Sequence, residues 1–95
     1  MTEEERKDLS RYFRLSDYRD SEYFLQEEYD ELQEVIKRSP IAQELEELRY
    51  QWIIGKISEM SYMDQRMAYF TQMCEERKKQ NNPVKQLSNK DKNSH

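Results

Sequence analysis

Catalysis needs side chains that can move protons, attack a substrate or hold a metal, and this chain places few of them usefully. Its one histidine, His95, is the last residue. Its one cysteine, Cys74, has no imidazole placed to act as its base, so ordinary chemistry rules out a cysteine–histidine nucleophile pair. Cys74 also falls at a helix-spaced apolar position, where a thiol packs as a small hydrophobe. Carboxylates are plentiful: Glu27, Asp30, Glu31 and Glu34 recur three and four apart, and Glu44 and Glu47 three apart. A carboxylate-bridged pair of metals in a helical bundle wants Glu-x-x-His on its helices, and none occurs. EF-hand, Cys/His zinc and glycine-rich phosphate patterns are also missing. The expectation is a non-enzyme with no catalytic residue, no metal and no cofactor.

Binding chemistry is better represented. Met60, Met63, Met67 and Met73 cluster with Tyr62 and Tyr69, which lie seven apart and share a helical face. Methionine surfaces adapt to partners and tyrosine is favoured at interfaces. Three uses compete for this cluster: intramolecular core, homodimer contact and a foreign partner's site.

Charge is distributed unevenly. From Asp17 to Glu47 eleven Asp/Glu face only Arg19, Lys37 and Arg38, while Arg77 to His95 holds six Lys/Arg and one Asp. The acidic stretch, centred on Glu27, Asp30, Glu31 and Glu34, is either a solubilising face, a surface that steers a basic partner, or a mimic of nucleic-acid phosphates. The basic end offers non-specific phosphate contacts. Over the whole chain the net charge is −4.

These residues must be positioned by helices. Thr2 to Leu15 reads as a short helix, capped by Thr2 with Glu3, Glu4 and Glu5 at the positive end of its dipole. Ser16-Asp17 reads as a joint, because both side chains compete for local backbone groups, with a continuous helix through it as the alternative. A second helix is expected over 17–38, where Tyr18, Leu25, Tyr29, Leu32 and Ile36 recur at helical spacing. Ser39-Pro40 ends it and starts a third, with Ser39 as N-cap and Pro40 at the first helical position. That third helix is expected over 40–79, with any bend at Gly55, where its apolar stripe slips by one position between Trp52 and Ile53. Residues 81–95 are expected to form a disordered basic tail.

The resulting fold class is all-α. It is an antiparallel helical hairpin with a short folded-back N-terminal helix, completing a helical bundle as a dimer. In this register the first helix lies against Met67, Phe70 and Cys74, with Glu3, Glu4 and Glu5 beside Arg77, Lys78 and Lys79. Trp52, Tyr62, Tyr69 and Met73 are then left without cover, and they form the expected dimer or partner interface. A chain of 95 residues is one domain, and small cores often need a second subunit.

No apolar run is long enough to span a membrane, and the acidic start lacks a signal-peptide pattern. With a single cysteine, this favours a cytoplasmic setting. The function expected is a protein-binding module, adaptor or inhibitor that occupies the surface of a protein partner. Small size, an acidic helical surface and no catalytic set resemble accessory proteins of phages and mobile elements. The alternative is a nucleic-acid-associated protein using the basic tail, or an acidic DNA mimic.

Overall fold

Thr2 begins the first helix as its side chain predicts. Its hydroxyl accepts from the Glu5 N–H at 3.1 Å while the Glu5 carboxylate accepts from the Thr2 N–H at 2.7 Å, a reciprocal capping box. The computed structural model describes residues 1–81, and these form α1 (Glu3–Asp17), α2 (Gln26–Arg38), α3 (Pro40–Ile53) and α4 (Glu59–Asn81). No strand occurs among the described residues. The fold is all-helical, with overall dimensions of 57 × 30 × 23 Å. Most of the expected tail lies outside the described residues, and α4 extends to Asn81, two residues past the expected end.

Two expected boundaries are corrected. The second helix starts at Gln26, nine residues later than Asp17. Residues 18–25 instead fold into successive turns, Ser21 N–H to Tyr18 C=O at 2.9 Å and Phe24 N–H to Ser21 C=O at 3.1 Å. The Ser21 hydroxyl accepts from the Tyr23 N–H at 3.1 Å, which diverts the backbone from a helix. The helix signal resumes where Glu28 reaches back to accept the Leu25 N–H at 3.0 Å.

The expected long helix is two helices. Gly55 has φ +82°, a left-handed conformation that glycine adopts without a Cβ penalty. It ends α3, with its N–H donating to Trp52 C=O at 3.0 Å. Ser58 then caps α4 by accepting the Ser61 N–H at 3.1 Å. A continuous helix would keep one axis, whereas this break lets α4 turn independently of α3.

At the other punctuation, Ser39 caps α3 through Ala42 N–H at 3.1 Å, and Pro40 takes the first helical position. Gln43 turns its amide back onto the Ile36 and Lys37 carbonyls at 2.9 and 3.1 Å, satisfying the open end of α2. The core joins all four helices: Leu9, Tyr12, Phe13 and Leu15 of α1, Leu32 and Val35 of α2, Ala42 and Leu45 of α3, and Met73 of α4. Helix α1 therefore packs against all three others.

Candidate functional site

Beneath the surface, a polar network ties the 18–25 turns to the core. The hydroxyl of fully buried Tyr12 donates to Glu46 Oε2 at 2.7 Å, and Arg19 Nη1 donates to Glu46 Oε1 at 2.9 Å. Burial opposes the charge on Glu46, but hydrogen bonds from Arg19 and Tyr12 outweigh it and hold the carboxyl below its usual range. Burial opposes the Arg19 charge too, and the hydrogen bond and negative charge of Glu46 together more than restore it. Desolvation, then the adjacent Glu46, push the Tyr12 phenol far above its ordinary value. Asp8, also buried, is paired with Arg38 at 3.0 Å. Each charge here is paired within the chain, while Arg19 Nε is buried without an acceptor.

The four residues expected to be uncovered are not. Tyr62 and Met73 are each 4% exposed, and Tyr69 is half-buried against the core. Trp52, also half-buried, stacks on Tyr62 with ring centroids 5.3 Å apart and planes 13° apart. The Tyr69 hydroxyl donates to Glu44. The premise of an unshielded Trp52/Tyr62/Tyr69/Met73 patch is corrected, because the break at Gly55 turns that face of α4 inward.

A different face is open instead. Met60, Met63, Met67 and Phe70 are 74%, 46%, 62% and 42% exposed. Phe70 still touches α1, edge-on to Phe13 with centroids 5.3 Å apart, as the expected packing of α1 on Phe70 requires. Met67 remains largely exposed, and Cys74 packs against the core. Between α1 and α4 runs a groove of about 280 Å³ lined by Phe13, Asp17, Met63, Arg66, Met67 and Phe70. Arg66 seals its floor: its guanidinium carbon lies 4.8 Å from the Phe13 ring centroid, and Nη2 donates to Ser16 at 3.0 Å and to Asp17. Sequence reading missed Arg66, whose role depends on α1 being alongside. The open stripe did leave a signal, the three–four–three spacing of 60, 63, 67 and 70.

The acidic stretch is divided. Glu27, Asp30 and Glu34 are exposed, whereas Glu31 is half-buried and turns to Arg14 and Arg11 at 3.5 and 3.8 Å. Glu28, Glu44 and Glu46 are also engaged within the chain. At the far end, the amino group of Met1 pairs with Glu76 at 2.7 Å. Arg77 faces Arg6, Lys7, Ser10 and Arg11 across a second groove of about 280 Å³. Arg77, one of the three cations expected beside Glu3, Glu4 and Glu5, instead joins this basic groove. Glu5 is committed to the cap and Glu3 pairs with Lys7 at 3.4 Å.

Among the described residues no group of three His, Cys, Asp or Glu side chains converges as a metal ion needs, and no helix is long and apolar enough to cross a membrane. No family model, curated protein or solved structure matches this chain.

Proposed function

We propose that the chain is a non-catalytic protein-binding module, an adaptor or inhibitor that works by occupying a partner's surface. The open apolar stripe Met60, Met63, Met67 and Phe70 carries this reading. Large apolar side chains standing in one row on water are the mark of an interaction site, whereas scattered ones are ordinary. Methionine supplies an adaptable contact and Phe70 a rigid anchor braced by Phe13. Glu27, Asp30 and Glu34 steer the encounter with a basic partner.

The architecture belongs to the same proposal. Helices α2 and α3 form an antiparallel hairpin about Ser39-Pro40, α1 folds back over it, and the bundle is completed by one more helix on the open face of α4. A second copy is one candidate for that helix. The cytoplasm is the compartment that fits a lone, half-buried Cys74.

Affinity purification with mass spectrometry, comparing wild type with Met63→Gln/Met67→Gln, tests the module. Partners should be recovered by the wild type and lost by the variant. Equal recovery by both would reject the stripe as the binding surface.

The basic groove of Arg6, Lys7, Arg11 and Arg77 favours a second reading, contact with nucleic-acid phosphates. Binding of DNA or RNA at low salt that disappears on removing Arg77 to His95 would support it.

A further inference from the structure

From the spacing of the α4 stripe and the charge along its rim, we infer that its occupant is a basic amphipathic helix. This helix lies along Met60, Met63, Met67 and Phe70, with its Lys/Arg side chains over Glu59 and Asp64. The inference rests on the protein-binding reading and names the class of partner.

Geometry selects a helix. Continued by half-buried Cys74, the row runs 60, 63, 67, 70, 74, alternating steps of three and four. That alternation is the seam along which two helices interlock side chains. An extended peptide presents side chains every second residue and finds no matching row of pockets. The groove between α1 and α4, with Phe13 and Arg66 as its floor, gives the approaching helix a second wall.

Charge selects a basic one. Exposed Glu59 lies four residues before Met63, and exposed Asp64 lies four after Met60, so both flank the seam. Arg66 pairs with Asp17, so the two cancel, and Lys56 and Lys78 lie beyond the two ends of the seam. Residues 1–81 hold thirteen Lys/Arg against nineteen Asp/Glu, so the wider field also attracts a cation. A second copy would bring its own Glu59 and Asp64 to the same seam, and like charges across an interface are unfavourable.

The test uses the full chain and two model peptides of about sixteen residues, one Leu/Lys and one Leu/Glu, with the same heptad spacing. Methionine-methyl NMR reads the site, and sedimentation equilibrium reads self-association. The Leu/Lys peptide should shift the Met60, Met63 and Met67 methyls and bind in preference to the Leu/Glu peptide. Glu59→Lys/Asp64→Lys should weaken it by about tenfold or more, with helix content unchanged. Equal binding of both peptides would overturn the charge assignment while leaving a protein-binding stripe. Twice the chain mass, abolished by Met63→Gln/Met67→Gln, would overturn it in favour of a second copy. Neither binding nor self-association would overturn it outright, and the purification experiment would then judge the module by itself.

Discussion

Trp52 at the end of α3 stacks on Tyr62 in the first turns of α4, bridging the break made by Gly55. The two rings sit ten residues apart, a spacing that one continuous helix would spread over about 15 Å. Their contact is therefore a direct consequence of the turn, and it is the hinge on which the assignment of surfaces depends.

Gly55 should accordingly resist replacement. A Cβ there meets nothing within 4 Å, so the penalty is conformational: φ +82° is unfavourable for an L side chain. Gly55→Ala should cost about 1–2 kcal/mol in urea unfolding. Because Trp52 is the sole tryptophan, its fluorescence should report the loss of stacking. An unaltered midpoint and spectrum would contradict this account of the turn.

Tyr62→Glu/Tyr69→Glu distinguishes core from interface. Tyr62 is buried and Tyr69 is packed against the core, so the double variant should lose its cooperative melt by circular dichroism. Met63→Gln/Met67→Gln, on the open face, should change stability by no more than about 0.5 kcal/mol. If the tyrosine variant folded normally, the inward orientation of α4 would be wrong.

The Tyr12–Glu46–Arg19 network should be measurable through its hydroxyl. Tyr12→Phe removes one hydrogen bond and leaves the Glu46–Arg19 pair, at a cost of about 0.5–1.5 kcal/mol. Arg19→Ala should cost more, since it leaves a half-buried carboxylate without its cation. The reverse order would show that the 18–25 turns are not anchored through Arg19.

Acid should weaken the fold partly through Glu46. Its carboxyl is held below the usual range when folded, so its contribution is complete above the unfolded value of about 4.3 and is lost as pH falls through the folded value. Urea midpoints between about pH 6 and about pH 2 should fall more gently for Glu46→Gln than for wild type. Parallel curves would remove Glu46 from the acid transition.

Local chemistry determined much of this molecule. Thr2, Ser39 with Pro40, and Gly55 each act within a few residues, so the starts of α1 and α3 and the place of a bend were legible in the sequence, though not that the helix ends there. The helical class followed from spacing alone. The loop at 18–25 was less legible, because Tyr18 and Leu25 fit a helical period while the Ser21 turns and the Glu28 cap override it. Which face of α4 meets the core was settled only by tertiary structure. Both rows, Met60/Met63/Met67/Phe70 and Tyr62/Tyr69/Met73, are apolar and helix-spaced, so hydrophobicity does not rank them. The rotation of α4 after Gly55, the Trp52–Tyr62 stack and the Arg66 contacts with α1 choose between them. Those contacts join residues up to fifty apart, beyond the reach of any local pattern.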